Sequence, residues 1–136
     1  MDSPSEDVEP KLTLIAKDMR GASWSLLFPD NREAVLIFTR KGFYRGGHSH
    51  DKPETSIVLT GRMRYRKMTE DGKENTFTQG PGDVLYNKPG EIHLAHALED
   101  GWLMDWKINT LKGEATSMNY PPYRKFVDEQ MGGSTK

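Results

Sequence analysis

Short runs of alternating apolar and polar residues dominate the chain between residues 12 and 108, separated by clusters of glycine, proline, asparagine and aspartate. Alternation of this kind, interrupted by turn residues, is typical of β-strands in a sandwich or small barrel. The pattern predicts about nine short strands. They are drawn from ten candidate ranges, which are 12–16, 25–28, 34–39, 43–44, 56–60, 62–68, 74–78, 84–86, 92–98 and 102–108.

A different spacing follows the proline pair at positions 121 and 122. Apolar residues then recur every three or four positions, at Tyr123, Phe126, Val127 and Met131. This period predicts one face of a short C-terminal helix. Proline suits the first helical turn, where its missing N–H is not needed. We expect the helix to pack on the outside of the sheets.

Length and composition narrow the class of protein. A chain of 136 residues is the size of one domain. We expect a flexible leader over 1–10, one folded domain over 11–131 and a disordered tail over 132–136. A net charge of -1 argues against nucleic acid as a partner, and no apolar run is long enough to span a membrane. The acidic, polar start of the chain has no apolar signal core, so we expect a soluble cytoplasmic protein.

The candidate chemistry lies in three histidines and one glutamate. His48 and His50 share one face of a strand because side chains alternate, and Glu54 joins that face if residues 51–53 are extended. His93 follows the tight turn at residues 88–90 and supplies a further ligand from another strand. Imidazoles with one carboxylate suit Fe, Mn, Ni, Co or Zn rather than calcium. The chain has no cysteine, which excludes thiolate sites and disulfides.

The spacing of these residues resembles the two sequence motifs of the cupin superfamily. The first motif is matched at every fixed position, by Gly42, His48, His50, Glu54 and Gly61. The second is matched by Gly82, Gly90 and His93, while Lys88 and Ala97 replace its proline and asparagine. The resemblance implies an all-β fold, a single conical barrel of the jelly-roll type. It also implies that His48, His50, Glu54 and His93 hold one divalent transition metal inside that barrel.

The same resemblance implies a small metal-dependent enzyme. Its substrate is expected to be a small oxygenated molecule whose carbonyl, carboxylate or enolate oxygen binds the metal. Iron favours a dioxygenase, whereas manganese, nickel or zinc favours a lyase or isomerase. Glu54 is a candidate ligand or general base. The alternative function is a non-catalytic cupin module that binds a sugar or a small acid, because one fold hosts many chemistries.

Further residues are candidates for contact with the substrate. Arg45 precedes the first histidine and is a candidate for binding an anionic group. Arg64 joins it only if its strand face turns inward, and a solvated face is the commoner arrangement. Tyr86 lies on the short strand leading to His93 and is a candidate for lining the pocket and for acid or base catalysis. Tyr65, Asn87 and His96 are weaker candidates, and His96 is expected on the face opposite His93.

The last predicted strand separates two kinds of side chain. Trp102, Met104 and Trp106 share one face, which is typical of core or dimer-interface packing. Asp105 points the other way and is expected to be exposed to solvent. Because small cupins commonly pair, the resemblance also implies a homodimer, with the two tryptophans and the N-terminal strand as candidate contacts.

Overall fold

The structure of this chain is a computed structural model, which describes residues 8–69, 71–108 and 117–132. The predicted leader and tail lie mostly outside the described residues. Within them the chain forms eleven strands and a C-terminal helix. The elements are β1 (Lys11–Asp18), β2 (Gly21–Leu27), β3 (Arg32–Thr39), β4 (Tyr44–His50), β5 (Glu54–Thr60), β6 (Met63–Met68), β7 (Glu74–Gln79), β8 (Val84–Asn87), β9 (Ile92–Ala97), β10 (Gly101–Ile108), β11 (Ser117–Asn119) and α1 (Pro121–Gln130).

The strands form two antiparallel sheets. The larger sheet has the order β1-β2-β3-β10-β5-β8, and the smaller one has the order β11-β4-β9-β6-β7. Side chains from both sheets meet in one apolar core. Its buried members are Val58, Leu85 and Leu103 from the larger sheet, with Met63, Tyr65, Ala95 and Ala97 from the smaller one. The predicted all-β class with two packed faces is therefore confirmed.

Helix α1 lies against the outer face of the smaller sheet. Tyr123 and Val127 are buried against Leu94 of β9, so the predicted apolar face is the one that packs. The two prolines occupy the first helical turn. The prediction of an external helix is confirmed. Among the described residues, no helix is long and apolar enough to cross a membrane.

Two features of the fold differ from the sequence prediction, the segment between β4 and β5 and the strand β11. Residues 51–53 form a bend rather than extended chain, so Glu54 begins β5 in the larger sheet instead of continuing β4. Proline at position 53 suits this break because it restricts the residue before it and donates no ladder hydrogen bond. The edge strand β11 was not predicted. It has three residues, and its pairing with β4 is a long-range contact.

Two glycines let neighbouring elements approach β4. Gly47 has a φ of 81°, and a Cβ added there would lie 2.8 Å from the Cα of Arg124 in α1. A Cβ at Gly46 would lie 2.9 Å from the carbonyl oxygen of His93. The pairing of β4 with β9 is irregular between Gly46 and His48, which indicates a bulge. These glycines therefore shape the strand that carries the histidines.

Candidate metal centre

Three imidazoles from two adjacent strands converge on one point. His48 and His50 extend from β4, and His93 extends from β9, directly opposite His48 in the strand register. Their ring centroids lie 4.5 Å (His48 to His50), 4.9 Å (His48 to His93) and 5.4 Å (His50 to His93) apart. One nitrogen from each ring lies within 4.8 Å of the others. Strand alternation thus places the two β4 histidines together, and sheet pairing adds the third.

The environment keeps these rings neutral. Burial, with the neighbouring imidazoles His93 and His50, lowers the pKa of His48 to about 3. Burial likewise lowers the pKa of His93 to about 4 and lowers the pKa of His50. The Nδ1 atom of His93 is buried and has no hydrogen-bond partner among the described residues. Three uncharged imidazoles offer nitrogen lone pairs, and one of them has a buried nitrogen without a partner in the described part of the chain. Such a group fits a divalent transition metal.

Glu54 lies beside this group of imidazoles, on the opposite sheet, next to His50. As the first residue of β5 it is 6% exposed, and its Oε1 lies 3.8 Å from His50 Nε2. Burial raises the pKa of Glu54, while the charge of Lys107 opposes that shift. Its predicted position beside the histidines is therefore observed. The predicted route was wrong, because Glu54 arrives across the barrel and not along β4.

Ser117 contacts the rear of one imidazole. Its Oγ lies 2.8 Å from His50 Nδ1, within hydrogen-bond distance, while His50 Nε2 faces Glu54. A hydrogen bond of this kind fixes the orientation of a ring whose other nitrogen binds a metal. Sequence reasoning missed Ser117 because the residue lies 67 positions from His50 and carries no motif.

Two of the imidazoles, His48 and His93, border a cavity of about 270 Å³ between the two sheets. Its polar wall includes Arg45, His48, Glu54, Ser56, Tyr65, Asn87, His93 and Asp105, and its apolar wall includes Ile37, Ala95 and Leu103. This volume is near the lower end of the range for small-molecule sites, about 300–1,000 Å³. The cavity can therefore accept a small molecule next to the imidazoles.

Arg45 lies in the wall of this cavity, where its side chain is held in place by uncharged acceptors. Its Nε donates to Thr39 Oγ1 at 3.0 Å, and its Nη2 donates to the carbonyl oxygen of Phe38 at 2.8 Å. Burial, together with the nearby charge of Arg20, lowers the pKa of Arg45 to about 10. The guanidinium remains protonated at neutral pH, and it is available to an anionic ligand.

Tyr86 and Asp105 face the opposite way from the sequence prediction, and Arg64 takes the solvated one of the two arrangements left open for it. Tyr86 is 52% exposed on the outer face of β8, because alternation turns its neighbour Asn87 inward. Arg64 is exposed on the outer face of β6, away from the cavity. Asp105 was expected in solvent but lines the cavity, since the tryptophan face of β10 turns outward. His96 stacks on Tyr44, with ring centroids 4.2 Å apart, on the face opposite His93 as expected.

Comparison with known proteins identifies the fold. No protein-family model matches the chain, and no curated protein matches it in sequence. Solved structures do match, and those of CapF and oxalate decarboxylase among them have the cupin fold. The chain therefore has the cupin fold, a β-barrel of the jelly-roll type with a short C-terminal helix.

One of the similar structures is a polysaccharide assembling protein and another is a decarboxylase, and both proteins are much longer than this chain. The capsular polysaccharide assembling protein CapF from Staphylococcus aureus superposes with a TM-score of 0.68 at 19% identity, over 86% of this chain and 34% of CapF. Oxalate decarboxylase from Bacillus subtilis superposes with a TM-score of 0.63 at 20% identity, over 84% of this chain and 30% of that protein. This chain spans about a third of the length of either one. At these identities the likeness shows the fold alone.

Proposed function

We propose that this chain is a small metal-dependent cupin enzyme that acts on a small oxygenated, anionic substrate. His48, His50, His93 and Glu54 would hold one divalent transition metal at the cavity wall. The observation that carries the proposal is the group of three neutral imidazoles, with nitrogens within 4.8 Å of one another, beside a cavity of about 270 Å³.

The donor set narrows the choice of metal. Three imidazole nitrogens and one carboxylate suit Mn, Fe, Co, Ni or Zn. The Bacillus subtilis oxalate decarboxylase, which shares the fold, contains Mn(II) centres, and this supports manganese among the candidates. When bound, such a metal supplies Lewis-acid polarisation of a carbonyl or carboxylate oxygen, and iron would in addition permit oxygen chemistry.

The other cavity residues would bind and orient the substrate. Arg45 would bind its anionic group, because both present acceptors of this guanidinium are uncharged. Burial raises the pKa of Glu54, and a bound metal ion would oppose that shift, so Glu54 would serve as a carboxylate ligand. Tyr86 and Arg64 have no part in the proposal, since both lie on outer surfaces.

Metal analysis with and without a chelator tests this function. Protein purified without a metal-binding tag is expected to retain about one transition-metal ion per chain, and chelation is expected to abolish turnover and weaken the binding of small carboxylates. Elemental analysis and calorimetric titration measure the two effects. A chain that takes up no metal would contradict the proposal. Binding of a sugar or small acid that is unaffected by chelation would instead support the non-catalytic binding module.

We also propose that two copies pair through the outer face of the larger sheet. On this outer aromatic face, Trp24 stacks on Trp102 with centroids 5.7 Å apart, and Phe38 lies 5.3 Å from Trp102. At the two ends of the same face, Leu14 is 51% exposed and Val84 is 57% exposed. Apolar side chains thus extend from β1 to β8 across six strands. Continuous apolar surfaces of this extent are typical of protein–protein interfaces.

Replacing Leu14 with glutamate is expected to weaken this dimer. A charge in the apolar interface occurs twice in a symmetric pair, so we expect the dissociation constant to rise by at least about 10-fold. Sedimentation velocity over a concentration series measures it. Met118→Glu is the control, because Met118 is 74% exposed on the other sheet. Equal dissociation constants for the two variants, or a wild-type chain that is always monomeric, would contradict the pairing.

A further inference from the structure

Unpaired polar atoms are concentrated in the cavity beside the metal centre. Of the four buried side-chain polar atoms without a hydrogen-bond partner among the described residues, three belong to residues that line this cavity. One is His93 Nδ1, and the other two are the hydroxyl oxygen of Tyr65 and the Oδ1 of Asn87. Tyr65 and Asn87 are each 3% exposed. Because buried polar groups are nearly always paired, these two atoms indicate a ligand group in the cavity.

Asp105 adds a third polar group to the same wall. It lies on β10 opposite Ser56, which donates a hydrogen bond to its Oδ1 at 2.6 Å. Burial, followed by the charge of Glu54, raises the pKa of Asp105 to about 7. Its neighbour Leu103 on the same strand face is an ordinary core residue. A carboxyl group at such a position is costly to bury, so a role in binding accounts for it better than packing does.

The strand register relates these groups to the metal centre. Asn87 lies opposite Glu54, at the level of the imidazoles, whereas Asp105 lies opposite Ser56, two residues further along β5. Two residues along a strand correspond to about 7 Å. Tyr65 lines the same cavity from the other sheet, and burial, followed by the charges of Asp105 and Glu54, raises the pKa of its hydroxyl. A molecule of a few carbon atoms can span this distance.

We propose that Tyr65, Asn87 and Asp105 form a hydroxyl-binding subsite, and that the substrate is a small carboxylic acid that also carries a hydroxyl group. This inference rests on the proposed function. Asn87 Oδ1 and the Asp105 carboxyl accept hydrogen bonds, and the Tyr65 hydroxyl donates one; a substrate hydroxyl does both.

Matched pairs of acids that differ by one hydroxyl test the subsite. The probes are malate against succinate, lactate against propionate, and 3-hydroxybutanoate against butanoate, titrated calorimetrically into the Mn(II)-loaded protein. We expect at least one hydroxylated acid to bind about 10-fold or more tightly than its partner, because the partner leaves the polar groups unpaired. Tyr65→Phe and Asp105→Asn are expected to remove most of this preference while metal content stays unchanged.

Two controls separate a binding role of the Tyr65 hydroxyl from a structural one. Tyr86→Phe makes the same chemical change on the outer surface and should preserve the preference. The melting temperature of ligand-free Tyr65→Phe should equal or exceed that of the wild type, because the removed hydroxyl has no partner among the described residues. If the hydroxyl had only a structural role, Tyr65→Phe would have a lower melting temperature than the wild type.

Each outcome decides the inference. No preference in the wild type, or a preference equally strong in Tyr65→Phe, would overturn the subsite; the second result would assign the preference to chelation by the metal. If the chain binds no metal, the proposed function fails. The same titrations on the metal-free chain then still decide the subsite, because its hydrogen bonds need no metal.

Discussion

Replacing His50 with alanine is expected to abolish most of the metal retention of this chain. His50 supplies one of three grouped imidazoles, and its loss removes one of the four ligands proposed for the metal. Loss of an outer partner of a metal ligand costs about 10- to 100-fold in affinity, so loss of a ligand itself should exceed that range. Elemental analysis after dialysis and a competition titration with a chelator measure the effect.

His96→Ala is the matched control for this prediction. His96 is a histidine of the same domain, but it stacks on Tyr44 on the opposite face of β9. Its variant should keep the wild-type metal content. Circular dichroism should show a folded β-domain for both variants, because neither His50 nor His96 belongs to the apolar core. Equal metal affinities for the two variants would exclude His50 from the centre.

The second large effect is a loss of stability, which we expect when Gly47 is replaced with alanine. A positive φ of 81° is strained for any residue with a Cβ, at a cost of about 1–3 kcal/mol. The new methyl group would also lie 2.8 Å from the backbone of Arg124, so α1 must move outward from β4. Overpacking of this kind typically costs a further 1–3 kcal/mol or so. The free energy of unfolding from urea denaturation should fall by the sum of both costs.

Gly72→Ala separates the two contributions. Gly72 has a φ of 83°, almost the same as Gly47, but a Cβ there would meet no atom within 4 Å. Its variant should therefore lose only the conformational part. A loss of stability for Gly47→Ala no greater than that for Gly72→Ala would show that the close approach of α1 to β4 does not constrain the fold.

Features that depend on neighbouring positions in the chain could be read from the sequence. The ranges of most strands follow from alternation and turn residues, and the external helix follows from its three- and four-residue spacing. His48 and His50 lie together because residues two apart on a strand share a face. The same rule separates His96 from His93 and places Trp102 on the same face as Trp106. The cupin motifs then indicated the fold, which the structural comparison confirms.

The errors arose where the sequence leaves a choice of face or of sheet. Alternation states that Tyr86 and Asn87 point to opposite sides, but only the packing of the two sheets decides that Asn87 is the one inside. The same choice turned Asp105 inward. Glu54 meets the histidines from the other sheet, because the bend at residues 51–53 ends β4.

By itself, the sequence determined most of the strands, the helix, the turn positions and the residue types available for a metal, since each of these depends on local spacing and backbone preference. Only the tertiary structure decided which residues share the cavity with the imidazoles. That outcome depends on how the two sheets close over each other, which brings Ser117 beside His50 and places Tyr65 and Asp105 in the wall of one cavity. Closure of the barrel is a property of the whole apolar core, and no short segment of the chain encodes it.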